Sequence, residues 1–137
     1  MTKPGEPSLL LPAKRQVIGQ VLMCCGCCCG DVERGKPEVP VEWLKSEWRK
    51  RGLLKDIDLS FSGCLGPCEF TNVISVSDAT GSVWLGQIEH RTQYLDLLDW
   101  ASQSKAAGKM LPLSAALEAR RFHRFRTTNS GAEEETP

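Results

Sequence analysis

Apolar residues recur along the chain in runs that change period, and those changes predict the elements. Between Arg15 and Met23, Val17, Ile18, Val21, Leu22 and Met23 form a run of strand length, which predicts a first strand buried on both faces. Gly30 to Pro40 has loop composition. A helix is expected next, with Pro40 near its first turn, Glu42 suited to the dipole, and Val41, Leu44 and Trp48 on one face; Gly52 is its natural stop. Ile57, Leu59 and Phe61 alternate with Asp58 and Ser60, a second strand. Val73, Ile74 and Val76, then Val83, Trp84 and Leu85, flank turn residues Asp78 to Gly81 and predict a hairpin. A last core helix is expected from Thr92 as cap, with Tyr94, Leu97, Leu98 and Ala101 on one stripe, ending before Gly108.

The order strand, helix, strand, strand, strand, helix has one compact solution. The first two strands, joined through a helix, form a parallel pair with a right-handed crossover, and the hairpin adds two antiparallel strands. The expected fold class is α/β: a thioredoxin-like, four-stranded mixed sheet flanked by helices, over residues 16–108. Residues 1–15, with Pro4, Gly5, Pro7 and Pro12, lack any period and are expected to be a disordered arm. Residues 109–126 are expected to be a basic helical extension, with Leu113, Leu117 and Phe125 among Arg120, Arg121, His123, Arg124 and Arg126. Residues 127–137 are expected to be a disordered acidic tail. There are no internal repeats.

Charge narrows the function. The 137-residue chain balances 17 basic against 17 acidic side chains, which argues against a general nucleic-acid binder. Leu9 to Leu11 is too short for the core of a signal peptide, and no run approaches membrane-spanning length, so a cytoplasmic protein is expected. In that reducing compartment 7 cysteines point to metal or redox chemistry rather than to disulfides. Cys24, Cys25, Cys27, Cys28 and Cys29 crowd one loop; Cys64 and Cys68 stand on another. Both loops follow parallel strands and emerge at one sheet edge, where open α/β sheets bind ligands. Thiolates select zinc, copper(I) or iron–sulfur clusters. Zinc ribbons usually place two residues between paired cysteines, whereas Cys24 to Cys29 and Cys64 to Cys68 leave four and three, a bite that suits a two-iron rhomb better. Gly63 and Gly66 would let backbone N–H groups approach an inorganic sulfide, and Pro67 stiffens the loop.

Cys24-x4-Cys29, then 34 residues, then Cys64-Leu65-Gly66-Pro67-Cys68 before a hairpin resembles the thioredoxin-like 2Fe-2S ferredoxins, to which the small iron–sulfur subunit of respiratory NADH dehydrogenase is related. The resemblance covers about residues 16–105. It implies a 2Fe-2S cluster with Cys24 and Cys29 as ligands of one iron and Cys64 and Cys68 of the other. It further implies a one-electron carrier, not itself an enzyme, that meets a reductase and an acceptor enzyme, with pairing to a second copy left open. Small ferredoxins of this kind also suggest a setting in cobalamin synthesis and cobalt insertion. The extra thiols Cys25, Cys27 and Cys28 depart from the pattern and leave Cys25 with Cys28 or Cys29 as a competing first pair.

Two other classes stay open. A metal-trafficking or storage protein would use the five-cysteine loop, and a thiol-disulfide oxidoreductase would use Cys25 and Cys28 as a dithiol. His90 and His123 read as surface or capping residues, and Trp43, Trp48, Trp84 and Trp100 as core. The arginines between 120 and 126 are a solvated face or a docking patch.

Overall fold

The structure, a computed structural model, describes residues 11–26 and 28–126. Its elements are β1 (Gly19–Cys24), α1 (Val41–Lys50), β2 (Ile57–Ser62), β3 (Ile74–Asp78), β4 (Gly81–Leu85), α2 (Arg91–Ala107), α3 (Ala115–Glu118) and β5 (Arg121–Phe122). They form one mixed sheet in the order β2-β1-β3-β4-β5. β1 and β2 run parallel, with Gly19 opposite Ile57 and Cys24 opposite Ser62. β3 is antiparallel to β1 and closes a tight hairpin with β4. Asp78 fastens that hairpin by accepting from the Thr80 backbone N–H at 2.8 Å and from its hydroxyl at 2.6 Å. A parallel pair joined through a helix, then an antiparallel hairpin and a helix, is the thioredoxin-like arrangement.

Register separates the two faces of this sheet. Phe61, Met23, Ile74 and Leu85 form one cross-strand row, and Leu59, Val21, Val76 and Val83 the next. These rows share one core with Leu44 and Trp48 of α1 and Tyr94, Leu97, Leu98, Trp100 and Ala101 of α2, so both helices cover the same face. The Trp48 indole N–H donates to the Ile57 carbonyl at 2.8 Å and fixes α1 to the edge strand. The opposite face carries the row Ser60, Leu22, Ser75, Trp84 and Phe122. The expectation that β1 would be buried on both faces is therefore corrected: Val21 and Met23 are buried, but Gln20 is exposed and Leu22 half-buried. β1 also starts at Gly19 rather than near Arg15.

α2 begins one residue before the expected cap. Gln93 reaches back to accept from the backbone N–H of His90 at 2.8 Å and of Glu89 at 2.6 Å, so His90 takes the capping place. Gly108, with φ of 75°, ends the helix in the left-handed conformation that glycine adopts without penalty.

The C-terminal extension departs most from expectation. Helix is confined to Ala115–Glu118, where the Ser114 hydroxyl accepts from the Leu117 N–H at 3.4 Å. The chain then turns into β5, with Phe122 opposite Trp84 and Arg121 opposite Leu85. The sheet thus has five strands rather than four. Tertiary contacts outweigh helical periodicity here: the Phe122 ring stacks on Phe70 at 4.4 Å between centroids, and the open edge of β4 offers its backbone groups. At the other end, residues 11–15 are exposed and outside regular structure. The expectations for 1–10 and 127–137 lie outside the described residues.

Candidate metal centre

Parallel pairing brings the C-terminal ends of β1 and β2 to the same edge, and both cysteine loops start there. Cys24 is the last residue of β1 and sits on the face away from the helices by strand alternation. The next residue, Cys25, continues the ladder through its N–H to the Ser62 carbonyl at 2.8 Å. The chain then reverses at Gly26, whose φ of 92° needs glycine, and Gly26 bridges to Cys29 with a 3.0 Å backbone hydrogen bond. This turn returns Cys29 to the side of Cys24. Both are buried, at 1% and 4% exposure.

Asn72 holds that turn. Its Oδ1 accepts from the Gly30 N–H at 2.8 Å, while its Nδ2 donates to the carbonyls of Pro37, Ile88 and Glu38 at 3.0, 3.2 and 3.4 Å. One buried amide thus links the first cysteine loop, the segment leading into α1 and the strand-to-helix connection. A single Asn in a loop carries no periodic signal, so nothing in the sequence marks it.

The second loop leaves β2 at Ser62. Gly66 takes a φ of 121°, the Cys68 N–H bonds the Gly66 carbonyl at 2.8 Å, and Cys68 opens a short 3-10 turn through Phe70. This bend brings the Cys64 and Cys68 sulfurs to 3.5 Å. Arg124 fastens the loop from outside, donating to the Leu65 carbonyl at 3.2 Å.

The two loops close on one small recess lined by Cys24, Cys28, Cys29, Cys64 and Cys68, with Gly66, Pro67 and Val73. All four residues implied by the resemblance meet there, and Cys28 is a fifth thiol beside Cys68. Cys25 is not among the lining residues; alternation turns it toward the other face. Cys27 lies outside the described residues. The six described cysteines are thiols, with no disulfide between them. Leu65, Phe70, Trp84 and Phe122 pack against the Cys24, Cys29 and Val73 cluster, separate from the main core.

Electrostatics follow from this crowding. Burial, assisted by the hydrogen bond with Cys24, pushes the Cys29 thiol up to about 12. The Cys68 thiol is likewise pushed up to about 12, first by its hydrogen bond with Cys64 and then by that with Cys28. Thiols packed this closely resist becoming several thiolates at once, and a bound cation removes that penalty by replacing their protons.

Two thiolates held tetrahedrally at about 2.3 Å from one metal ion stand about 3.8 Å apart. The Cys64–Cys68 separation of 3.5 Å needs little change to meet that, and Cys24 and Cys29 pack in one buried cluster. The donor set therefore suits a cluster bridging two pairs. Among the described residues no three His, Cys, Asp or Glu side chains are grouped as ligands of one ion.

No known family model matches the sequence, and no curated protein matches it either. Among solved structures, the wild-type thioredoxin-like [2Fe-2S] ferredoxin from Aquifex aeolicus, determined at 1.5 Å, is similar to this chain with a TM-score of 0.48 and 18% identity. The match covers 80% of this chain and 100% of that one.

Proposed function

We propose that this protein carries single electrons on a 2Fe-2S cluster, with Cys24 and Cys29 on one iron and Cys64 and Cys68 on the other. The observation that carries the reading is the convergence of two close thiol pairs, from two loops, on one recess. When bound, the cluster supplies a one-electron couple. The chain's own part is to hold four thiolates in fixed places, exclude water with Leu65, Val73 and the neighbouring aromatics, and present the Cys64–Cys68 loop to a partner.

The protein acts as a carrier between a reductase and an acceptor enzyme rather than as an enzyme itself. A cytoplasmic location belongs to the same proposal, since reduced thiols suit it; among the described residues no helix is long and apolar enough to cross a membrane. Cobalamin synthesis, as the setting, rests on the sequence resemblance alone.

A Cys25–Cys28 dithiol is disfavoured by position, because Cys28 lines the recess and Cys25 does not. Anaerobic purification tests the proposal: about two irons and two acid-labile sulfides per chain are expected. A Cys68→Ser variant should lose both. Bound zinc or copper without sulfide would replace the proposal with metal trafficking.

A further inference from the structure

The C-terminal segment is joined physically to the thiol site. Gly66 and Pro67 line both the recess and an adjoining shallow cavity, whose other walls are Glu69, Phe70, Phe122, His123 and Arg124. Arg124 bonds the Leu65 carbonyl at 3.2 Å and lies over the Trp84 ring at 5.4 Å and the Phe125 ring at 5.9 Å. Phe125 meets Trp84 edge-on at 6.1 Å yet stays 66% exposed. Covering the core does not need it, because Leu117 and Phe122 already do so.

Basic side chains outnumber acidic ones on this face. Arg124 and Arg126 are exposed here beside His123, and Arg120 is half-buried, whereas Arg121, opposite Leu85, turns to the helix-bearing side and pairs with Glu118 at 3.2 Å. The neighbouring acid is Glu69. On a chain of zero formal charge this is a local positive field beside the thiol recess. An exposed aromatic ringed by arginines is also the composition that carries most binding energy in protein interfaces.

We propose that the face formed by Arg124, Phe125 and Arg126, against the Cys64–Cys68 loop, docks an acidic partner protein for electron exchange. The inference rests on the cluster reading above. Phe125 enters an apolar spot on the partner while the arginines meet its carboxylates, and Arg124 ties the docked surface to the loop that carries two ligands. One electron leaves the reduced cluster and one enters the partner's centre, with no bond made or broken.

Stopped-flow oxidation of the dithionite-reduced protein tests this, with plastocyanin as acidic acceptor and cytochrome c as basic acceptor. An Arg126→Gln variant leaves the Arg124 tether in place. It should slow plastocyanin about threefold at low salt and flatten the salt dependence, without slowing cytochrome c, whereas Arg121→Gln on the opposite side should slow neither. Phe125→Ala should slow plastocyanin at low and high salt alike. Unchanged plastocyanin rates in the Arg126 and Phe125 variants, or equal losses with both acceptors, would overturn the proposal. Calorimetric binding of plastocyanin needs no cluster, so sulfide-free protein that still binds would count against the cluster and not against the surface. Binding that appears only after truncation at Arg126 would assign the face to the chain's own Glu133, Glu134 and Glu135 and overturn docking as the native use of this surface.

Discussion

Replacing Asn72 by alanine is the most informative single perturbation of the fold around the site. The side chain is 1% exposed and its amide serves four backbone groups. Its two N–H donors are shared among three carbonyls, so they count as about two net hydrogen bonds, at about 1 kcal/mol each. Removing Oδ1 also leaves the half-buried Gly30 N–H unpaired, at about 1 kcal/mol or more. The total is about 3 kcal/mol, or on the order of a 10 °C fall in Tm for a domain of this size. Asn72→Asp makes the sharper comparison, because it keeps an acceptor for Gly30 but turns a donor into a carboxylate facing the Pro37, Glu38 and Ile88 carbonyls. It should cost at least as much as alanine. Urea unfolding followed by far-UV circular dichroism reads both numbers, and bleaching by a chelator reads the freedom of the first cysteine loop. An alanine cost below 1 kcal/mol, or an aspartate variant as stable as the native protein, would refute the argument that the amide holds this junction.

Serine at Cys29 should bleach the protein, because Cys29 is buried against Cys24, whereas serine at Cys28 should leave the visible absorption nearly intact; the reverse pattern would exchange the two assignments. Gly66→Ala should cost about 2 kcal/mol, mainly through the φ of 121°, since the Arg124 guanidinium that meets the new Cβ at 2.7 Å can swing away; iron should then be lost faster to a chelator. Tyr94→Phe should change stability by no more than about 1 kcal/mol at pH 7, because the buried hydroxyl has only the Asn72 side chain beside it, whose donors already serve three carbonyls. Burial raises the Tyr94 pKa to about 12 from 10.0, so native stability should fall between those pH values in alkaline unfolding, and the phenylalanine variant should lose less there.

The elements that could be read directly are those whose pattern is local. Alternation at Ile57, Leu59 and Phe61 and the helical stripe of Tyr94, Leu97, Leu98 and Ala101 each show in a short window, and both are present. One-sided burial of β1 was hidden, because Leu22 is apolar yet packs on the face without helices, and composition cannot tell which side a helix covers. β5 was hidden for a different reason. Two residues make no periodic signal, and Phe122 is drawn out of a helix by Phe70, more than fifty positions earlier in the chain. In the crowded loop, spacing showed that thiols meet, but the reversal at Gly26 decides which ones do. Strand alternation alone already sets Cys25 opposite Cys24.

The separation of two hydrophobic clusters predicts what removing the metal does. The main core joins both helices to the inner face of the sheet and, among the described residues, contains no cysteine. The thiol recess rests on the outer face with its own cluster around Cys24, Cys29 and Val73. The loops between are tied by protein hydrogen bonds, from Asn72 to Gly30 and from Arg124 to Leu65. A small metallo-domain whose core is the metal site unfolds when chelated. Here the apolar surface that stabilises the fold is buried elsewhere, so the metal-free protein should keep its helical circular dichroism and a cooperative urea transition. The loss should be local, with faster amide exchange at 24–30 and 63–70 and slow exchange preserved in α1, α2 and β3. If chelation instead abolished the cooperative transition, the two clusters would be one energetic unit and the division drawn from their packing would be wrong.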